Sequence, residues 1–186
     1  GQLNPGPIVG VCAVNDTAQV NVYLNDKAII KLFPVDVVFS YTVKPYDPDG
    51  KFVQLVALKS NRGGKAAMAG DVVTDANEAF GQFSSTAEVS MAMNAEGAKQ
   101  WKRLTADNIG KSVAIVLDDY VYSYPTVQAE IAGGRSSITG DFTLDEAKDL
   151  ANILKSGKLP APARIIEEAI VGPSLGKEAI NSGMFS

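Results

Sequence analysis

Apolar and polar positions recur along this chain with two different periods, and the switches between them mark out its elements. An apolar run opens at residues 8–14, and Asn15, Asp16 and Thr17 then offer a helix cap. Val20, Tyr23 and Leu24 follow at helical spacing, and a second short run, 28–33, stops at Pro34. Residues 35–43 are rich in β-branched and aromatic side chains and predict a strand. The turn-forming stretch Pro45-Tyr46-Asp47-Pro48-Asp49-Gly50 leads into a returning strand over 52–58, so the two strands are expected to form a hairpin.

A polar stretch, Ser60-Asn61-Arg62-Gly63-Gly64-Lys65, follows as the first candidate boundary. Residues 71–80 fit neither period cleanly, and a short helix beginning at Thr74 is one reading. Between 87 and 93, Val89, Met91 and Met93 alternate with Glu88, Ser90 and Ala92, the spacing of a half-buried strand. Asn94 caps a helix that carries Ala98, Trp101 and Leu104 on one face and closes at Gly110. Residues 112–117 are nearly all apolar and predict a central strand, Asp118-Asp119 a turn, and 120–124 the antiparallel return. Further strands are expected over 126–131, broken by Gly133-Gly134, and over 136–139.

Thr143 and Glu146 have the spacing of a capping box, in which the hydroxyl and the carboxylate each satisfy the other residue's backbone N–H. Leu144, Ala147, Leu150, Ala151 and Leu154 trace one helix face behind it. Gly157 is suited to the left-handed position at the helix end, Pro160 and Pro162 stiffen the exit, and 163–171 reads as a strand. This order of elements predicts an α+β fold with mostly antiparallel sheets and helices packed on them.

Composition narrows the function. The chain has 186 residues, 46% of them hydrophobic, enough to bury a core. Lys and Arg number 17 against 21 Asp and Glu, without a basic stripe, so nucleic acid is not an expected partner. There is no histidine, the commonest general base and metal ligand near neutral pH. The single cysteine, Cys12, allows no intrachain disulfide and sits in an apolar run, as a small buried hydrophobe does. No stretch reaches the length of a membrane span, and no signal peptide is present. Both ends read as cut, so we expect a piece of a longer protein.

Candidate chemistry is sparse. Asp118-Asp119 and Glu167-Glu168 are carboxylate pairs, but adjacent strand residues point to opposite faces, and the aspartates occupy a turn. Asp47-Pro48-Asp49-Gly50 lacks the alternating acids and distal glutamate of a calcium loop. Gly63-Gly64-Lys65 lacks the spacing and the hydroxyl of a phosphate loop. Serines have no histidine to activate them. Met91 and Met93 suit a core better than an adaptable binding surface, and Trp101 lies on a helix face expected to be buried. No catalytic residue, metal site or cofactor is therefore assigned.

From residue 87 onward the sequence resembles SecD, including the form fused to SecF. The resemblance is carried by Asn108-Ile109-Gly110-Lys111, Ala114-Ile115-Val116-Leu117-Asp118 and Val121-Tyr122-Ser123 with Pro125. It continues in Ile138-Thr139-Gly140-Asp141-Phe142, in residues 154–162, and in Val171-Gly172-Pro173-Ser174-Leu175-Gly176. No one of these is specific; their shared order is.

The resemblance implies the first periplasmic region of an export subunit, at the periplasmic face of the bacterial inner membrane, with a base and an inserted mobile head. On that pattern 1–62 is a base-type part, 63–160 the head, 161–173 the strand returning to the base, and 174–186 the lead-in to a membrane helix. The implied role is late-stage, proton-motive-force-driven export, with the head engaging the emerging, unfolded polypeptide. SecF and the SecYEG channel are the implied partners, through the full-length protein. Gly63, Gly64, Gly157, Pro160 and Pro162 are the hinge candidates. Gly172, Pro173 and Gly176 form the membrane-junction motif by resemblance. An exposed sheet edge is the expected route of client capture. The rival readings are a free-standing periplasmic peptide-binding or chaperone-like module, a structural scaffold without client contact, and a hydrolase using Asp118 or Glu167.

Overall fold

The computed structural model describes residues 6–61, 63–80, 86–156 and, as backbone, 164–168. Nine strands and four helices run in the order β1 (Ile8–Ala13), α1 (Thr17–Leu24), α2 (Lys27–Ile30), β2 (Val37–Thr42), β3 (Phe52–Lys59), β4 (Val73–Phe80), β5 (Ala87–Met93), α3 (Ala95–Asp107), β6 (Val113–Leu117), β7 (Tyr120–Ser123), β8 (Arg135–Phe142), α4 (Leu144–Ser156) and β9 (Arg164–Glu168) among the described residues. They build the α+β fold with mostly antiparallel sheets that the patterning predicts.

The larger sheet has the order β1-β3-β2-β7-β6-β9, and β9 also pairs with β3. Strand β3 thus shares one edge between two partners: β1 meets residues 52–56, and β9 meets Leu58 and Lys59. The expected β2–β3 hairpin is present, with Val37 opposite Lys59 and Tyr41 opposite Leu55. Asp47 organises its connection, its carboxylate accepting from the Phe52 N–H at 2.7 Å and the Lys51 N–H at 3.1 Å. Strand β7 joins β2 in parallel through Tyr41–Tyr120 and Thr42–Val121. The smaller sheet has the order β4-β5-β8, antiparallel throughout.

Strand β6 is buried on both faces, which explains its unbroken apolar sequence. Val113 and Ile115 belong to the main core with Trp101, Leu104, Val89 and Leu150, so β6 joins the larger sheet to the core that α3 and α4 form with the smaller one. Ala114 and Val116 belong to a second cluster with Val56, Leu58 and Val121 inside the larger sheet. Fully burying a side chain such as Val89 or Leu58 contributes about 1.5–3 kcal/mol.

Helix α3 begins where predicted, with the Gly97 N–H donating to Asn94 Oδ1 at 2.8 Å. Its first turn packs so closely on residues 70–72 that a Cβ on Gly97 would lie 2.7 Å from Val72 Cβ. Helix α1 is tied to the sheet from outside: the Tyr41 hydroxyl lies 3.1 Å from Asn21 Oδ1 and 3.3 Å from the Thr17 carbonyl.

Four expectations are corrected. Residues 73–80 are strand β4, not a helix from Thr74. Residues 126–131 form no strand; Thr126 makes an isolated bridge to Ser112, and the Ile131 N–H donates to Thr105 Oγ1. The strand expected over 136–139 runs the full length of 135–142. The cap foreseen at 15–17 is a 3-10 turn over 14–16, where the Asp16 side chain makes no capping bond and the Thr17 hydroxyl donates to the Val14 carbonyl.

Candidate functional site

The aspartates of the β6–β7 connection are turn residues. Leu117 and Tyr120 pair across it, and Asp118 and Asp119 both take positive φ, 48° and 66°, the two left-handed positions of a type I′ hairpin turn. Glu167 pairs with Val113, at the far end of β6 from Asp118 and roughly 17 Å away at strand rise. Asp118, in the turn after β6, and Glu167, on β9 opposite the start of β6, therefore lie too far apart along the sheet to share a site.

Gly63 and Gly64 also close a turn. Both have positive φ, 78° and 70°, and the Gly64 N–H donates to the Asn61 carbonyl at 3.1 Å, beneath a bridge between Asn61 and Lys65. Nothing in this arrangement resembles a phosphate cradle. Gly157, Pro160, Pro162, Gly172, Pro173 and Gly176 lie outside the described residues. Met91 is in the main core and Met93 packs half-buried against it, so they form no open surface. Trp101 is buried as expected, as is Cys12, whose thiol burial holds above its ordinary range. Among the described residues no three His, Cys, Asp or Glu side chains gather to hold a metal ion.

What the fold does create, and sequence patterning did not foresee, is a cleft of about 850 Å³ between the two sheets. One wall is the end of β2 and the chain after it, Thr42 to Tyr46, with β7 and Tyr124-Pro125 beside it. The opposite wall is the end of β8, through Thr139, Gly140 and Phe142, and the face of α4 carrying Glu146, Asp149, Leu150 and Ile153. These α4 positions recur at three and four residues, the spacing of one helix face. The helix thus has two working faces: Ala147, Ala151 and Leu154 enter the core, while Leu150 serves both core and cleft.

The lining is aromatic and apolar with few polar groups, the usual make-up of a binding cleft. Tyr46, Tyr122, Tyr124 and Phe142 supply rings, and Pro45 and Pro125 rigid apolar surface. Gly140 makes room for the Phe142 ring, since a Cβ there would lie 2.7 Å from Cε2. The Tyr124 hydroxyl reaches Gln54 Oε1 at 3.3 Å. Burial, helped by Asp118, raises the Tyr122 phenol above its ordinary range, so it stays a neutral hydroxyl.

Among the described lining residues charge enters through the Lys44–Glu146 pair and through Asp149. Lys44 Nζ stands 3.4 Å from Glu146 Oε1 across the cleft. The Thr143 backbone N–H, donating to Glu146 Oε2 at 2.8 Å, holds this carboxyl below its usual range, and Lys44 adds to the effect against partial desolvation. The capping box read from the sequence is complete, with the Glu146 N–H donating back to Thr143 Oγ1 at 3.2 Å. Strand β8, whose end borders the cleft, pairs with β5 alone among the described residues, so its outer edge has no ladder partner there.

A family model described as the SecDF P1 head subdomain matches residues 45–161. The protein translocase subunit SecD of Rhodothermus marinus is 46% identical over 184 residues, covering 99% of this chain and 29% of that protein. SecD of Calditerrivibrio nitroreducens is 37% identical over 189 residues, covering 97% of this chain and 36% of that protein. The chain therefore spans about a third of the length of these relatives. A solved structure of SecDF, described as a membrane component that enhances protein export, aligns with a TM-score of 0.47 at 24% identity, covering 91% of this chain and 78% of that one.

Proposed function

The chain belongs to the SecD/SecDF family of protein translocase subunits, and from that premise we propose that its cleft engages an extended, translocating polypeptide. The observation that carries this reading is an aromatic cleft bordered by the end of β8, a strand whose outer edge has no ladder partner among the described residues. A client strand added beside β8 would satisfy its backbone through the edge and seat alternate side chains among Tyr46, Tyr122, Tyr124 and Phe142. Recognition of this kind reads little sequence, which suits a translocase serving many clients. It is non-covalent: no residue of the cleft is given a catalytic role.

In the full-length protein this step would serve late-stage, proton-motive-force-driven export, at the periplasmic face of the bacterial inner membrane, with SecF and the SecYEG channel as partners. We keep the division into a base part over 1–62 and a head over 63–160, with the Gly63-Gly64 turn as one of two crossings between them. Two ladders lie across that division, the parallel β2–β7 pairing of two residue pairs and the antiparallel β6–β9 pairing of four, so a swinging head either leaves β6 and β7 behind with the base or breaks both. Spin-label distances between β2 and α4 in the full-length protein test the motion, and a single distance population through an export cycle would sink it.

Titration of an unfolded, apolar-rich peptide against the 186-residue chain, followed by residue-resolved NMR, tests the cleft itself. Weak, saturable shifts centred on Tyr122, Gly140 and Ile153 are expected. Absence of binding at millimolar peptide, or shifts confined to the far side of the larger sheet, would remove the reading.

A further inference from the structure

We propose that the cleft selects among extended segments by charge, favouring apolar stretches flanked by lysine or arginine over those flanked by aspartate or glutamate. This rests on the reading of the cleft as a polypeptide site and names the class of segment it takes.

Among the described residues the charged side chains of the lining are Lys44, Glu146 and Asp149, one cation against two carboxylates. Lys44 and Glu146 offset one another at 3.4 Å. Asp149, one turn further along α4, makes no ion pair or side-chain hydrogen bond among the described residues and is exposed to the cleft. Asp149 therefore places on the α4 wall a negative charge that no ion pair of its own offsets among the described residues. The tyrosines add to it in the same sense, because an aromatic face is the negative pole of the ring's quadrupole and attracts a cation. A lysine or arginine beside a seated apolar segment gains from both sources, and an aspartate or glutamate loses to both.

The net charge of the whole chain, −4, acts in the same direction from further away. It is screened beyond about 10 Å at 0.1 M salt, whereas Asp149 acts within the cleft. The two contributions can therefore be separated by substitution.

The test uses three short labelled peptides with one apolar core, flanked by lysine, glutamine or glutamate, titrated against the whole chain at low and high salt. At low salt the lysine peptide should bind about two- to five-fold tighter than the glutamine peptide, and the glutamate peptide weaker by a similar factor. Asp149→Asn should narrow this spread, as should high salt. Asp107→Asn removes an equal charge from α3, where Asp107 faces Arg103, and should leave the spread as it was. If the glutamine peptide binds but the spread is absent, or survives Asp149→Asn, or narrows as much with Asp107→Asn, charge selection by the cleft is wrong while the polypeptide site stands. If none of the three peptides binds, the cleft reading falls and this inference with it.

Discussion

Lys44 and Glu146 lie 102 positions apart in the sequence, yet the lysine Nζ stands 3.4 Å from the glutamate Oε1. The same carboxylate receives the Thr143 N–H at 2.8 Å. One side chain thus caps α4 and reaches across the cleft to the end of β2.

The two duties separate on substitution. Lys44→Met removes a half-exposed ion pair with Glu146, worth about 0.5 kcal/mol, and leaves the capping box in place. Glu146→Ala also breaks the capping box and should cost about 1 kcal/mol. Urea denaturation of both variants checks this order. The sign with pH follows from the depressed carboxyl: its stabilisation is complete above the ordinary glutamate value of 4.5 and is lost as pH falls through the lower folded value. Glu146→Gln, which can still accept from the Thr143 N–H, should flatten that part of the acid limb of stability against pH. An unchanged acid limb would show that Glu146 does not titrate with folding.

Gly97 and Val72 make a second pairing that can be tested by exchange. A Cβ at 97 would meet Val72 Cβ at 2.7 Å and Cγ2 at 2.9 Å, atoms held close to the backbone. Gly97→Ala gains about 1 kcal/mol of helix propensity but should lose about 1–3 kcal/mol to overpacking. The net effect is destabilising. Val72→Ala removes Cγ2 and relieves part of the clash, so the double variant should be more stable than the sum of the single changes predicts. Additivity in a double-mutant cycle would mean that the helix shifts away at no cost.

The β6–β7 turn predicts a gain. Asp119 holds a φ of 66°, which costs a non-glycine residue about 1 kcal/mol, and glycine is favoured at the second central position of a type I′ turn. Asp119→Gly should therefore raise stability by about 0.5–1 kcal/mol, and calorimetry should show a higher Tm. A fall in Tm would mean that the aspartate makes a contact worth more than its strained dihedral.

These elements also show what sequence patterning could and could not reveal. The capping box at Thr143 and Glu146, the Asn94 cap, the all-apolar β6 and the aspartate turn were legible because each depends on neighbours in the chain. Strand β4 was not. Its register shifts between Val73 and Asp75, so the buried residues are Val73 and Ala76, three apart, a helical spacing produced by a bulged strand. Residues 126–131 are apolar enough for a strand, but their backbone is held elsewhere, by the Lys111 carbonyl and the Thr105 hydroxyl. The cleft was out of reach for a different reason. Its walls are set by the parallel meeting of β2 and β7 and by the placement of α4, neither of which leaves a local trace. Only the second face of α4, with Glu146, Asp149 and Ile153, was there to be read.

Gly63 and Gly64 offer the last test, and it separates backbone conformation from packing. Among the described residues no atom beyond the chain neighbours lies within 4 Å of a Cβ built at either position, so alanine meets no obstruction from them. Both residues nevertheless hold positive φ, 78° and 70°, where an L side chain costs about 1 kcal/mol each. Gly63→Ala and Gly64→Ala should thus destabilise the chain by about 1 kcal/mol apiece, and asparagine, which tolerates this region better, by less. Proline, fixed near −65°, cannot adopt the turn and should cost more than either. If the turn is also a crossing at which a head moves, amide exchange in residues 60–65 should rise with alanine well beyond what the loss of global stability explains. If alanine is neutral at both positions in denaturation and exchange, the turn is too weakly held to define any hinge there.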